Sequence, residues 1–181
     1  MRVGGGGKAF MRELASKRKE MQTIPISFTL NGTLQEIDVE PHELLLDVIR
    51  NRLGLTGSKR SCDVQVCGAC TVLLDGRPVS SCTLLAFEAR GREVLTIEGV
   101  AQNGKLHPLQ EAFIEKGGFQ CGFCTPGMIL TAKVLLDENP DPTEEEITGF
   151  MNGNLCRCTG YKKIIESIVA AGKKMKSSQS L

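Results

Sequence analysis

Apolar and polar residues begin to alternate at Thr23. Ile24, Ile26, Phe28 and Leu30 fall on one side of an extended chain, the period-2 signature of a half-buried strand. Asn31-Gly32 follows as a hairpin turn signal, because both residues tolerate the positive φ that such turns need. Leu34-Gln35-Glu36-Ile37-Asp38-Val39 alternates again and is placed to pair with the first strand. From Glu43 to Leu53 the period lengthens: Leu44, Leu45, Val48, Ile49 and Arg52 recur at helical spacing, and Gly54 ends the run. Thr71–Leu74, the Asp75-Gly76 turn and Pro78–Thr83, which carries Cys82, predict a second hairpin. Val94–Ile97 supplies one more strand. Residues 21–98 therefore predict a small α+β unit of the β-grasp kind.

Beyond Gly99 the pattern is helical. His107–Glu115 is the first segment, and Pro126–Glu138 the second, with Met128, Ile129, Ala132, Leu135 and Leu136 on its apolar side. Asn139-Pro140-Asp141-Pro142 breaks it. Thr143 followed by Glu146 forms a capping box for a third helix to about Met151. Tyr161–Lys174 is the fourth, with Ile164, Ile165, Ile168 and Val169 at helical spacing. Four helices joined by short loops predict an up-down bundle over residues 99–176, leaving residues 177–181 as a tail.

All eight cysteines fall between these elements in two sets of four. Cys62, Cys67, Cys70 and Cys82 have the C-x4-C-x2-C spacing with a distal fourth Cys of a plant-type [2Fe–2S] site. The long first loop and Gly68 allow backbone N–H groups to face sulfur, whereas structural zinc usually takes two short C-x2–4-C pairs. Cys121 and Cys124 lie between the first and second predicted helices, and Cys156 and Cys158 between the third and fourth. In an up-down bundle those connections share one end, so four thiols spread over 38 residues are expected to converge. Both pairs are expected to lead directly into helix N-termini, which favour an anionic group. Spacing alone leaves this second set open between zinc and iron–sulfur.

Charge and composition narrow the setting. The net charge is +1 over 181 residues, which offers no field for nucleic acid or an acidic membrane. No apolar run approaches the ~20 residues of a membrane span, and no apolar secretory core stands at the N-terminus. An even cysteine count also suits disulfides, but those persist in oxidising compartments, so a cytoplasmic location is expected. Residues 1–20 differ: they carry a net +4, against −3 for the remainder, and include the Gly4–Gly7 run. They predict a basic flexible tail, with Met21 as an alternative start.

Other chemistry is sparse. His42 and His107 both sit at element ends and suit caps or surface positions. Glu144–Glu146 is a helix-start charge run, and no Ser/His/Asp set, P-loop or G-x-G-x-x-G motif occurs. Phe119 and Phe123 beside the second Cys set are candidates either for shielding a cluster or for core packing. Tyr161 is expected to pack at a helix start.

QCGFCTPGMIL and GNLCRCTGY, together with the first Cys run, resemble the small iron–sulfur subunit of molybdenum hydroxylases, the family of xanthine and aldehyde oxidoreductases and carbon monoxide dehydrogenases. The likeness covers about residues 23–175. It implies a [2Fe–2S] cluster on each Cys set, which decides the second site against zinc. It also implies a large molybdopterin subunit and a medium FAD subunit as partners, in a dimer of heterotrimers, with the chain passing electrons between them. By the same likeness, Cys121, Cys124, Cys156 and Cys158 would lie toward the molybdopterin, with Gln120 and Cys158 as pterin contacts. Cys62, Cys67, Cys70 and Cys82 would lie toward the flavin. A free-standing ferredoxin-like carrier is the alternative. One departure stands out: family members commonly have Gly where this chain has Ser61 and Gln65. Gln65 is expected to change the loop path, and carbon monoxide dehydrogenase small subunits resemble this variant in lacking the second Gly.

Overall fold

The computed structural model describes residues 23–179; the basic tail expected over residues 1–20 lies outside them. Strands β1 (Ile24–Leu30) and β2 (Thr33–Val39) form the predicted antiparallel hairpin, closed at Leu30–Thr33. β3 (Thr71–Leu74), β4 (Arg77–Ser80) and β5 (Glu93–Leu95) complete a five-stranded sheet of order β2-β1-β5-β3-β4. The β1–β5 pair is parallel and the rest are antiparallel. Four α-helices follow: α2 (Pro108–Lys116), α3 (Thr125–Glu138), α4 (Glu144–Phe150) and α5 (Lys162–Gln179).

The segment predicted as one helix over Glu43–Leu53 differs in form. It opens as a single turn, α1 (Leu45–Asp47), and continues as a π-helix over Val48–Arg52. The wider turn is drawn by i→i+5 bonding, with the Leu53 N–H donating to the Val48 carbonyl at 3.0 Å. The Arg50 guanidinium then donates to the carbonyls of Thr56 and Ser58 and pulls the following chain across this turn. Such π-turns are uncommon and cluster near functional sites.

Strand β3 explains how the two halves of the chain join. All four of its residues are buried, which a strand achieves only when covered on both faces. Val72 and Leu74 point into a core with Ile26, Phe28, Leu30, Leu45 and Val48. Leu73 points the other way, into a core built by Leu109, Phe113, Met128, Leu130, Leu136, Ile147 and Ile164. The period-2 alternation of one four-residue strand thus puts the helices on the sheet's second face.

Helix ends follow their sequence signals. Thr143 and Glu146 form the predicted box: Glu146 N–H donates to Thr143 Oγ1 at 3.2 Å, and the Glu146 carboxylate accepts from Thr143 N–H at 2.7 Å. His107 caps α2, its Nδ1 accepting from Leu109 N–H at 3.2 Å. Burial and the nearby Lys133 cation hold this imidazole below its ordinary pKa, against an opposite pull from Asp137 and Glu111. Only the neutral ring can accept at Nδ1. The folded state therefore binds fewer protons, so the stabilisation is present above the ordinary value of 6.5 and is lost as pH falls through it toward the lowered value. His107→Asn keeps an acceptor cap and removes the titration. Its urea midpoint is expected to change less between pH 7.5 and 6 than that of the parent, as followed by circular dichroism.

Candidate metal centres

The first thiol set is assembled by a loop between the π-turn and β3. Arg60 anchors it, with Nη2 at 2.6 Å from Asp47 on α1 and Nη1 at 2.8 Å from Asp63 in the loop. Asp63 and Gln65 both adopt left-handed backbone (φ 55° and 59°), a region that L-residues occupy at a cost of about 1–2 kcal/mol. Gln65 thus occupies a conformation that Gly would adopt more easily. Its Oε1 accepts from Thr83 Oγ1 at 3.3 Å, beside Cys82.

This path turns backbone N–H groups toward Cys62. Val66 N–H lies 3.4 Å from its Sγ, and donation from Val64, Val66 and Cys67 lowers the Cys62 thiol to about 6. Cys70, by contrast, is buried, and desolvation raises it to about 11. Cys82 is not on a strand as predicted: β4 ends at Ser80, and Cys82 sits in the next turn. Thr83 N–H closes that turn on Ser80 O, while Ser81 Oγ donates to the Cys70 carbonyl at 2.6 Å. The turn brings Cys82 onto Cys70 and Leu46, the three forming a small buried cluster.

The second set comes together from two loops. Cys121, Cys124, Cys156 and Cys158 line one cavity of about 470 Å³, together with Phe123, Leu155, Arg157 and Tyr161. Cys121 and Cys158 are exposed, with their sulfurs 3.5 Å apart. Cys124 is the N-cap of α3, and burial raises its thiol to about 12. At Cys156 burial opposes ionisation, but donation from the Thr159 hydroxyl and N–H, at 3.1 and 3.4 Å, outweighs it and lowers the thiol. The Cys156–Cys158 pair does not lead directly into a helix as expected. Thr159–Tyr161 intervene before α5, with Tyr161 at φ 70°.

Tyr161 does more than pack. Its hydroxyl accepts from Cys156 N–H at 3.0 Å and so fixes the thiol-bearing loop from outside, as groups beyond the direct ligands commonly do at metal sites. Tyr161→Phe leaves that N–H without its partner and is expected to weaken this loop by about 1 kcal/mol. A lower urea concentration for loss of the visible absorbance of the loaded site is the check. Phe119 and Phe123 are 39 % and 44 % exposed, so neither is core packing. Gln120 is exposed beside Cys121. Gln120 is an exposed position adjoining the second set, and Cys158 is one of the set itself.

The thiols suit a binuclear group. All eight cysteines are free. In each set they stand in two close pairs, Cys62 with Cys67 and Cys70 with Cys82, then Cys121 with Cys158 and Cys124 with Cys156. Two pairs per site would give two thiolates to each of two irons. The Thr125 hydroxyl, directly after Cys124, is buried without a partner.

Comparison with known proteins agrees. Residues 28–96 match the family described as 2Fe-2S iron-sulfur cluster binding domain, and residues 96–169 the [2Fe-2S] binding domain. The chain thus belongs to the two-cluster iron–sulfur proteins and carries two [2Fe–2S] clusters. It is 56 % identical over 144 residues to the nicotinate dehydrogenase small FeS subunit of Eubacterium barkeri, covering 80 % of this chain and 92 % of that one. It is 48 % identical over 146 residues to the aldehyde oxidoreductase of Megalodesulfovibrio gigas, covering 79 % of this chain but 16 % of that larger protein. The solved quinoline 2-oxidoreductase of Pseudomonas putida 86 superposes with a TM-score of 0.83 at 46 % identity, covering 86 % of this chain and 98 % of that chain. This chain belongs to the family of small iron–sulfur subunits of molybdenum hydroxylases.

Proposed function

We propose that this chain is the electron-transfer subunit of a molybdenum hydroxylase complex, linking a molybdopterin centre on a large partner to FAD on a medium partner. When bound, the two [2Fe–2S] clusters supply one-electron carriers. The chain's own residues hold them, set their spacing and limit their contact with water. Cys62, Cys67, Cys70 and Cys82 hold the flavin-side cluster, within a β-grasp, ferredoxin-like unit of residues 21–98. Cys121, Cys124, Cys156 and Cys158 hold the molybdenum-side cluster, within a four-helix unit of residues 99–176. Gln120 and Cys158 contact the pterin. The complex is a dimer of heterotrimers in the cytoplasm.

One observation carries the reading: Cys67 of the first set lines the cavity of the second set. Two carriers in such proximity form a relay, whereas a free-standing carrier needs one. The surface around each site also suits a fixed partner. Val64 and Val66 are 64 % and 57 % exposed at the first site, and Leu155 is 49 % exposed at the second, apolar groups that partner subunits would cover. No helix among the described residues is long and apolar enough to cross a membrane.

The relatives act on a nicotinate, an aldehyde and a quinoline at 46 % identity or more, which supports a substrate choice made on another chain. Anaerobically purified protein should contain about four irons and four labile sulfides per chain, as two [2Fe–2S] units, with two electron paramagnetic resonance signals on reduction. Stoichiometric zinc without labile sulfide would defeat the assignment.

A further inference from the structure

Asn154 has no place among the thiols, yet it is 4 % exposed and polar at the point where the two Cys-bearing loops meet. Its Nδ2 donates to the Gly68 carbonyl at 3.2 Å, across 86 residues of sequence. The next residue, Leu155, donates its N–H to the Cys67 carbonyl at 2.9 Å. Two consecutive donors thus hold two consecutive carbonyls. One strip immediately precedes Cys156 and the other begins at Cys67.

The neighbours are shaped around this clamp. Gly68 has φ +66°, and a Cβ there would come within 2.4 Å of Asn154 Nδ2. A Cβ on Gly127, in the first turn of α3 after Cys124, would come within 2.1 Å of the Gly68 carbonyl oxygen. Thr71 also donates to that oxygen, through its N–H at 3.2 Å and its hydroxyl at 2.8 Å. Asn154 itself is held by its N–H on Met151 O at 2.9 Å. A buried side chain with this many fixed neighbours has one arrangement, and the loops inherit it.

We infer that Asn154 is the positioning residue that fixes the separation and orientation of the two cluster-binding loops, and with them the rate of electron exchange between the clusters. This rests on the assignment of the two Cys sets to the two clusters. The Leu155 to Cys67 bond alone would be a hinge, since one hydrogen bond leaves rotation about its axis free. The Asn154 bond, one peptide away on each strand, removes that rotation. Asn supplies the one donor that crosses from the second loop to this oxygen: Asp of equal size has only acceptors when ionised and would set an anion against the Gly68 carbonyl, while Leu would leave Gly68 bonded only to Thr71 within its own loop.

The test uses the complete complex carrying Asn154→Asp, with Asn154→Ser as a second variant in which a bridging water has room to reach Gly68. Iron and labile sulfide are measured first. The two reduced clusters are then examined by electron paramagnetic resonance, individually at higher temperature and for spin–spin splitting at low temperature. Exchange between the clusters is followed after partial rapid reduction.

Both clusters are expected to stay loaded with their own g values unchanged, while the splitting changes and exchange between them slows relative to the parent. The Ser variant should lie between the Asp variant and the parent. Parent-like splitting and exchange in fully loaded variants would overturn the inference while leaving the cluster assignment intact. So would loss of both clusters in both variants, because Asn154 would then serve the fold rather than the spacing. Absence of iron–sulfur signals in the parent would instead remove the cluster assignment itself.

Discussion

In the assembled complex, Cys124→Ser is expected to leave the flavin oxidised when substrate is added, although the molybdenum centre still accepts the first two electrons. Cys124 is half-buried, desolvation raises its free thiol to about 12, and it lines the cavity with Cys156 at the start of α3. A Ser hydroxyl does not replace it, because the iron ligand must be the deprotonated sulfur. Cys70→Ser is expected to have the same outcome by damaging the other site, where Cys70 is buried with Cys82 and Leu46. The two substitutions differ in which paramagnetic signal disappears. The flavin result is the same because the carriers act in series. Stopped-flow absorbance decides the matter in complexes shown to have retained all subunits. Flavin reduction at the parent rate in the Cys124 variant would mean that electrons bypass the second site, and the serial order would have to be abandoned.

Much of this arrangement is legible in the sequence because the signals are local. Alternation over Ile24–Leu30 and Leu34–Val39 is set by the strand period, and Asn31-Gly32 by turn stereochemistry, so the first hairpin forms where predicted. The Thr143–Glu146 box is likewise a matter of four residues. The convergence of Cys121, Cys124, Cys156 and Cys158 follows from helix count and loop length, and they do line one cavity.

What escaped prediction depends on contacts between distant segments. The π-turn at Val48–Arg52 is drawn open beside carbonyls held by Arg50, and helical periodicity is blind to that difference. Cys82 leaves its strand because Ser81 is held by Cys70 and Leu46, far away in sequence. Tyr161 and Asn154 both lie in GNLCRCTGY, but that run does not reveal what either side chain bonds. Each acts through one hydrogen bond to a Cys-bearing loop. The available hint was proximity: a lone Tyr and an Asn within five residues of Cys156, both able to satisfy backbone groups in loops that lack regular partners. Gln65 stands in left-handed backbone, between the Arg60 anchor and the Thr83 contact, a placement that no local pattern announces.

Gly127→Ala separates local propensity from packing between the halves of the chain. Gly127 lies in the first turn of α3, where helix propensity alone predicts that Ala would stabilise by up to about 1 kcal/mol. The structure predicts the opposite sign. The added methyl would stand 2.1 Å from the Gly68 carbonyl oxygen, a rigid backbone atom already engaged by Thr71 and Asn154. Overpacking of this kind typically costs about 1–3 kcal/mol, and here relief requires α3 to back away from the Cys67–Cys70 loop. A net loss of about 1–2 kcal/mol is expected once propensity is offset, lowering the melting temperature by about 2–4 °C per kcal/mol. The loop around Gly68 should also exchange its amide hydrogens faster, while the β1–β2 hairpin, remote from the contact, should keep its protection. Reversible urea unfolding of the loaded protein, with hydrogen exchange by mass spectrometry, reads both quantities. A variant as stable as the parent or more so, with unchanged exchange at residues 66–70, would mean that α3 and the first thiol loop are not in rigid contact. The close approach of the two cluster sites would then lose its structural basis.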